Sequence, residues 1–231
     1  MKLFQLYIII LSLLLIMDQS SLAQNPDWAN LNRYKEDNSK IGLPNTNEIR
    51  VIFMGNSITE GWIKLCPDFF ITNGYINRGI SGQTTPQMLV RFRPDVVNLK
   101  PKVVVILAGT NDIAGNTGPS TLEMIEDNIS SMVEIAQSNK IKVVLCSVLP
   151  AFDFPWKTGI DPAQKIVELN KWIEEYAINN NHYYVDYFTT MADSHNGLKK
   201  EFSDDGVHPN LAGYLVMEPL IENALNSVLN K

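Results

Sequence analysis

The sequence has little that would support a metal centre, a nucleotide site or a nucleic-acid interface. Its 231 residues include two cysteines and three histidines, with no cysteine–histidine spacing typical of metal ligands. It has no basic run and a formal net charge of −6, whereas nucleic-acid binding requires a positively charged surface. It also lacks a G-x-G-x-x-G or Walker pattern. We therefore expect no metal, no cofactor and no nucleic-acid partner.

The scarcity of cysteine also leaves disulfide formation open. Export from the cytoplasm would permit Cys66 and Cys146 to form a bridge. However, Cys146 ends the apolar run IKVVLC, where a buried free thiol is the more common case. The sequence alone does not show whether the geometry of the pair suits a disulfide.

Long hydrophobic runs are absent except at the N-terminus. There, Lys2 precedes a nearly unbroken apolar stretch of 12 residues, 6–17, and Ser21-Leu22-Ala23 follows. This order is typical of a cleaved signal peptide, and the stretch is too short to span a bilayer comfortably. We predict a signal peptide over residues 1–23, with an uncleaved membrane anchor as the alternative; no cysteine follows Ala23, so a lipid anchor is not supported. The mature protein is expected in the periplasm or outside the cell, without stable membrane association.

The rest of the chain has the composition of one soluble domain. The whole sequence is 45% hydrophobic and 19% charged, which is enough apolar material for a sizeable core. Residues 24–48 are polar, and Trp28, Leu31 and Tyr34 are spaced to share one face of a short helix. We predict that this lead-in segment packs on a domain formed by residues 49–231.

Apolar runs alternate with amphipathic stretches along that domain. Strands are predicted over residues 50–54, 75–80, 102–108, 141–146 and 182–188, and helices over 121–138, over 162–178 and from near Asn210, with Pro219 kinking or restarting the last one. The third and fourth strands are apolar almost throughout, which is typical of parallel strands covered on both faces. This order predicts a three-layer α/β/α sandwich, whose sites form at the carboxyl ends of the strands.

A polar stretch, Gly55-Asn56-Ser57, directly follows the first predicted strand. Ser57 is therefore a candidate nucleophile, but a serine hydroxyl needs a base within hydrogen-bond reach and an acid to orient that base. The segment DDGVHPN supplies both, because His208 follows Asp205 by three residues in one short loop. Each segment alone could be an ordinary turn or helix cap. Their combination at strand ends favours catalysis.

The two other histidines have no such partners in the sequence. His182 opens a predicted strand, and His195 lies in the polar loop MADSHNG, with Asp193 two residues away. We predict that His195 is dispensable, although it superficially resembles a catalytic dyad.

Acyl transfer also needs donors for the oxyanion of the transition state. Three groups lie at the carboxyl ends of predicted strands and could serve: the backbone N–H of Ser57, Gly79 in NRGISGQTT, where glycine permits close approach of the backbone, and the side-chain amide of Asn111 in LAGTNDIAGN.

Together, the segments GNSITEGW, NRGISGQTT, LAGTNDIAGN and DGVHPN resemble the four blocks of the SGNH hydrolases, also called the GDSL esterase/lipase family. The order Ser57, Gly79, Asn111 and His208 matches that family, and the resemblance spans about residues 49–217. It implies a flavodoxin-like parallel sheet of five strands in the order 2-1-3-4-5, with Asp205 as the acid. The chain also resembles the bacterial branch that is similar to platelet-activating-factor acetylhydrolase and acetylesterases.

Residue 56 departs from the family pattern, which has Gly-Asp-Ser where this chain has Gly-Asn-Ser. Asparagine retains the shape and hydrogen-bonding capacity of aspartate but removes a charge. Because Asp205 and His208 supply the acid and the base, this change does not argue against activity. The α/β-hydrolase alternative is disfavoured, because its G-x-S-x-G elbow would need glycine where Thr59 stands.

The resulting hypothesis is an exported serine esterase that releases short acyl groups, with acetyl favoured, from a small-molecule or carbohydrate ester. Three aromatic residues, Trp62, Phe152 and Trp156, are candidate substrate contacts, with Phe154 in the same loop as the last two; simple packing is the alternative for these side chains. The other hypotheses are a lysophospholipase or thioesterase acting on lipid acyl chains, and a non-catalytic carbohydrate-binding relative. The sequence does not specify the oligomeric state.

Overall fold

The computed structural model describes residues 27–230, so the signal peptide predicted for residues 1–23 lies outside the described part. The strands are β1 (Val51–Gly55), β2 (Ile76–Gly79), β3 (Val103–Leu107), β4 (Lys142–Cys146) and β5 (Tyr183–Val185). The helices are α1 (Lys35–Ile41), α2 (Ser57–Leu65), α3 (Pro67–Asn73), α4 (Thr85–Asp95), α5 (Thr110–Ile113), α6 (Leu122–Ser138), α7 (Pro162–Asn179), α8 (Phe188–Met191) and α9 (Leu211–Leu229). None of these helices is long and apolar enough to cross a membrane.

The five strands form one parallel sheet in the order β2-β1-β3-β4-β5. This confirms the predicted fold class and strand order. Helices α6 and α7 begin and end within one residue of their predicted bounds. The last helix continues through Pro219 as one element, so it is not restarted there. Asn210 caps its N-terminus by accepting a hydrogen bond from the N–H of Gly213.

Alternation along the strands builds a core on each face of the sheet. In β3, Val104 and Ile106 belong to one core, whereas Val103 and Val105 belong to the other. The first core includes the apolar faces of α4, α6 and α7, and the second those of α2, α3 and α9. Both faces of the central strands are therefore covered, which explains their continuous apolar sequence.

The lead-in segment differs from its prediction. Residues 27–34 form turns and the helix begins only at Lys35, so the short helix expected across Trp28, Leu31 and Tyr34 is wrong. The carboxylate of Asp27 accepts hydrogen bonds from the N–H groups of Leu31 and Asn32 and thereby stabilises a turn. Of the three aromatic and aliphatic residues, only Tyr34 is buried, and its hydroxyl donates to the carbonyl of Gly79.

Both cysteines are free and buried, which settles the pairing that the sequence left open. Cys66 precedes α3, Cys146 ends β4, and both belong to the core shared by α2, α3 and α9. Burial raises the pKa of each thiol to about 12. Both thiols therefore remain protonated at neutral pH and act as packing groups.

A fully buried arginine connects three segments at the carboxyl ends of the strands. Arg91 in α4 donates from Nη2 to the carbonyl of Gly55 (3.0 Å), from Nη1 to Asp95 (3.0 Å) and from Nε to the side chain of Gln83. Asp95 is 1% exposed and also accepts from Asn38 at 2.7 Å. The guanidinium thus ties the end of β1 to the loop after β2.

Replacing Arg91 should reveal the cost of an unpaired buried charge. We expect Arg91→Met to lower the free energy of unfolding by about 3–5 kcal/mol, because Asp95 keeps its burial but loses its ion pair. Urea denaturation is the measurement, and Arg93→Met, at an exposed position of the same helix, is the control. Adding Asp95→Asn to Arg91→Met should recover part of the loss. Equal stabilities of Arg91→Met and Arg93→Met would contradict the prediction.

Candidate active site

Ser57 is the first residue of α2 and directly follows the carboxyl end of β1. The preceding Asn56 caps the helix, because its Oδ1 accepts a hydrogen bond from the N–H of Ile58 at 3.0 Å. No described residue accepts the backbone N–H of Ser57. The helix N-terminus therefore presents both a hydroxyl and a free backbone donor at the end of the strand.

The structure brings Ser57, His208 and Asp205 together in one hydrogen-bonded chain. Ser57 Oγ lies 2.9 Å from His208 Nε2, and His208 Nδ1 lies 2.7 Å from Asp205 Oδ2. When Nδ1 donates its proton to Asp205, Nε2 is left as the acceptor for the serine hydroxyl. This is the arrangement in which a histidine can act as a general base toward a serine.

Backbone N–H groups of the loop that carries the acid and the base bind the carboxylate of the acid. Asp205 Oδ1 accepts hydrogen bonds from the N–H groups of Val207 (2.9 Å) and His208 (2.8 Å). Burial raises the pKa of Asp205, but hydrogen bonds from the backbone and ring of His208 and from Val207 outweigh it and lower the pKa to about 2. Asp205 is therefore a carboxylate at every pH at which the protein would be assayed.

The other histidines lie away from Ser57. His182 precedes β5 at the opposite, amino end of the strands, where its ring stacks on Tyr176. Ser194 Oγ lies 3.2 Å from His195 Nδ1, and the backbone N–H of His195 donates to Asp193 Oδ1. Neither ring hydrogen-bonds to Ser57, whose hydroxyl is bonded to His208.

Asn111 is buried at the start of α5, and its side-chain amide has two protein contacts. Nδ2 donates to the carbonyl of Gln83 at 2.9 Å, and Oδ1 accepts from Asn116 at 3.0 Å. Since an amide nitrogen carries two hydrogens, one N–H of Asn111 remains available to a ligand.

Gly79 does not supply the donor predicted for it. Its N–H donates to Asn77 Oδ1 at 2.9 Å, and a β-carbon on Gly79 would collide with the backbone of Asn56, Thr59 and Glu60. Gly79 is thus required for close packing of β2 against α2, and the prediction of an available N–H there is wrong.

Gly82, three residues later, has the free N–H that Gly79 lacks. Its φ of 77° lies in the left-handed region that favours glycine, and a β-carbon there would meet open space. Its N–H has no acceptor within residues 27–230. Next to it, Ser81 donates from its N–H to Glu60 at 2.8 Å, which ties this loop to α2. The motif ISG was visible in the sequence, but only hydrogen bonding distinguishes its glycine from Gly79.

The predicted aromatic contacts divide into buried and exposed side chains. Trp62 is 1% exposed and stacks between Phe69 (5.2 Å) and Tyr214 (5.5 Å), so its prediction as a substrate contact is wrong. Its position in α2 points it into the core with Ile58, on the face of the helix that packs against the sheet. A tryptophan there fills the space between α2, α3 and α9.

Phe152 and Trp156, in contrast, are exposed beside the triad. Trp156 is 44% exposed, and its ring centre lies 5.9 Å from that of His208. The indole also stacks on the ring of the buried Phe154, with 5.1 Å between ring centres. Phe152 is 60% exposed and borders a groove of about 630 Å³ that continues from Asp205. The lining of this groove includes Phe152, Asp153, Asp193, Leu198, Asp204 and Asp205. Trp156 thus lies next to the general-base candidate, whereas Phe152 lies on the groove that begins at Asp205; their role as substrate contacts stays a prediction.

A buried carboxylate, Asp112, binds the start of α4, the helix that follows Gly82. It accepts hydrogen bonds from the N–H (2.9 Å) and hydroxyl (2.6 Å) of Thr85, the first residue of α4. Burial raises the pKa of Asp112 from 3.8 to about 6, although the bonds from Thr85 oppose that shift. The sequence alone suggested only a turn or cap for this residue.

This shift predicts a pH-dependent stability. A raised pKa in the folded state contributes stability that is complete below pH 3.8 and is lost as the pH rises through about 6. We therefore expect wild type to lose about 2–3 kcal/mol of unfolding free energy relative to Asp112→Asn between about pH 4 and pH 7. Urea denaturation of both proteins across this range is the measurement. A difference that does not vary with pH would refute the assignment.

The sequence model of the GDSL-like Lipase/Acylhydrolase family matches residues 53–216. Among curated proteins, Acetylxylan esterase of Xylanibacter ruminicola is 27% identical over 222 residues, covering 80% of this chain and 45% of the relative. Esterase TesA of Pseudomonas aeruginosa is 30% identical over 99 residues, covering 41% and 48%. The chain thus spans less than half the length of these curated relatives.

Two solved structures are considerably more similar. A protein from Bacteroides fragilis that is assigned to the acylhydrolases is 52% identical, with a TM-score of 0.86 over 87% of this chain and 98% of its own. A GDSL-like lipase from Bacteroides thetaiotaomicron is also 52% identical, with a TM-score of 0.85 over 86% and 98%. The described domain therefore corresponds to nearly the full length of each of these chains.

Proposed function

Because the chain belongs to the GDSL-like lipase/acylhydrolase family of carboxylic ester hydrolases, we propose that it is an exported serine esterase for short acyl esters. Acetyl is the proposed acyl group, and Ser57 is the residue that becomes acylated. The observation that carries this proposal is the chain of hydrogen bonds from Ser57 through His208 to Asp205, at 2.9 and 2.7 Å. A non-catalytic relative would have no need to retain this geometry.

In the first half of the reaction, Ser57 Oγ attacks the ester carbonyl carbon while its proton passes to His208 Nε2. The carbonyl electrons move onto oxygen, and the resulting oxyanion accepts hydrogen bonds from the free N–H groups of Ser57, Gly82 and the Asn111 side chain. The tetrahedral intermediate then breaks its bond to the alcohol oxygen, which takes the proton from His208. The alcohol leaves and the acyl group remains on Ser57.

In the second half, His208 accepts a proton from water as the water oxygen attacks the acyl carbon. The same donors stabilise the second oxyanion, and its collapse breaks the bond to Ser57 Oγ. Oγ recovers the proton from His208, and the carboxylic acid leaves. Asp205 remains a carboxylate throughout, since it orients His208 and stabilises the imidazolium.

The alcohol half of the ester is proposed to be a carbohydrate. The exposed rings of Trp156 and Phe152 and the groove beyond Asp205 offer apolar faces next to carboxylates, and sugars present both apolar faces and hydroxyl donors. The similarity to Acetylxylan esterase over 80% of this chain supports the same interpretation. Export is proposed from the signal-peptide pattern of residues 1–23 alone.

Mutation of the triad should show that Ser57 and His208 act as one unit. We expect Ser57→Ala and His208→Ala each to lower kcat for p-nitrophenyl acetate by about 10⁴-fold or more, and the double variant to be scarcely worse. His195→Ala is the matched control and should retain activity, although the Ser194 hydroxyl bonds to the His195 ring and Asp193 accepts from its backbone N–H. A serine-directed organophosphorus reagent should label Ser57 in wild type and react much more slowly in His208→Ala. Full activity of a folded Ser57→Ala protein would overturn the proposed function.

The dependence of kcat/KM on the length of the acyl chain should distinguish a short-chain esterase from a lipid-directed enzyme. We expect kcat/KM to fall by at least about 10-fold between p-nitrophenyl acetate and octanoate, because Trp156 stands beside the general base and restricts the space there. Trp156→Ala should reduce this preference, whereas Trp172→Ala, on the distant helix α7, should leave it unchanged. A wild-type rate that rises with chain length would favour a lysophospholipase or thioesterase.

A further inference from the structure

Asn116 lies in the loop after α5 and bonds to two parts of the active site at once. Its Oδ1 accepts a hydrogen bond from the indole Nε1 of Trp156 at 3.1 Å. Its Nδ2 donates to Asn111 Oδ1 at 3.0 Å and to the carbonyl of Gly82 at 3.3 Å. The side chain therefore joins the exposed tryptophan of the β4 loop to the two loops that carry oxyanion donors.

The contact with Asn116 determines which way the Asn111 amide faces. In the observed orientation, Oδ1 faces the donor Nδ2 of Asn116 and Nδ2 faces the carbonyl of Gln83. If the Asn111 amide were rotated by half a turn, its nitrogen would face the side-chain nitrogen of Asn116 and its oxygen would face the carbonyl oxygen of Gln83. Both contacts would then be repulsive, so the amide is held with a free N–H for the substrate oxygen.

The same side chain also fixes Trp156. The indole rests on the buried Phe154 ring at an interplanar angle of 19°, and its N–H is directed at Asn116. This places the exposed face of the indole beside His208, at 5.9 Å between ring centres. The orientation of Asn116 is in turn set by Trp156, because only the amide oxygen can accept from the indole.

We propose that Asn116 is a positioning residue that presents the Asn111 amide to the oxyanion, and that the indole N–H of Trp156 sets the orientation of Asn116. This inference rests on the proposed ester hydrolysis at Ser57. Asn116 acts through Asn111, which bonds to charge that develops only in the transition state. Its loss should therefore lower kcat and leave KM nearly unchanged.

The primary test combines Asn116→Ala with Asn111→Ala. We expect Asn116→Ala to lower kcat for p-nitrophenyl acetate by about 10-fold with KM within about twofold, and Asn111→Ala to lower kcat by about 100-fold or more. If Asn116 works only through Asn111, the double variant should match Asn111→Ala. A purely structural role would give losses that multiply. Melting temperatures of all variants confirm that each is folded.

Two conservative variants separate the contacts of Asn116. Asn116→Asp keeps an acceptor for Trp156 but sets a carboxylate oxygen against Asn111 Oδ1, so its loss in kcat should exceed that of Asn116→Ala. Ser120→Asp adds the same charge to the same loop and should retain activity. Trp156→Phe keeps a ring but removes the N–H, and should lower kcat by about 2- to 5-fold, whereas Trp172→Phe should not.

The rate at which an organophosphorus ester attaches to Ser57 provides a readout independent of turnover. This attack also places negative charge on an oxygen that needs the same donors, so Asn116→Ala should slow it by about 10-fold. Labelling of Ser57 without hydrolysis of acetyl esters would overturn the proposed function, while the labelling rates would still decide the role of Asn116. A labelling rate and a kcat within twofold of wild type, or losses that multiply with Asn111→Ala, would overturn the positioning role.

Discussion

The fully enclosed guanidinium of Arg91 is the constraint on which the active-site edge depends. A buried cation without acceptors is strongly destabilising, so the fold must bring a carboxylate, an amide oxygen and a main-chain carbonyl to it. Those acceptors are Asp95 in α4, Gln83 in the loop after β2, and Gly55 at the end of β1. Satisfying one side chain therefore fixes the end of β1, two residues before Ser57, relative to the loop that carries Gly82.

From Gln83 the constraint extends to the other side of the site. The Gln83 carbonyl accepts from Asn111, and Asn116 bonds to Asn111 and to Trp156. These contacts connect the buried guanidinium of Arg91, through the buried amide of Asn111, to the exposed ring of Trp156. The groups beneath the reacting atoms are therefore held by buried contacts, and the exposed ring of Trp156 is held through them. Such preorganised donors need little rearrangement when charge develops on the substrate oxygen.

The features predictable from sequence are those that depend on local pattern. The five strands follow from apolar runs, and Asp205 and His208 follow from three-residue spacing in one loop. Gly79 and Trp62 were misassigned because their roles depend on packing between distant segments. A glycine at the end of a strand can permit close approach of a ligand or of the protein itself, and only the positions of Asn77 and Glu60 distinguish these cases. Asn116 ends the segment LAGTNDIAGN, but its role was not predictable, since its side-chain partners are 5, 34 and 40 residues away.

Asparagine at position 56, where the GDSL pattern has aspartate, is consistent with the role that the structure gives this residue. Asn56 is buried, and its side-chain oxygen accepts the N–H of Ile58 at the start of α2. That role needs an acceptor but no charge, so an amide retains the helix cap. A carboxylate at the same place would put a buried negative charge one residue from Ser57, near the oxygen on which the transition state also develops negative charge. The amide therefore preserves the geometry of the strand end, and it adds no negative charge beside the three donors that we propose for the oxyanion.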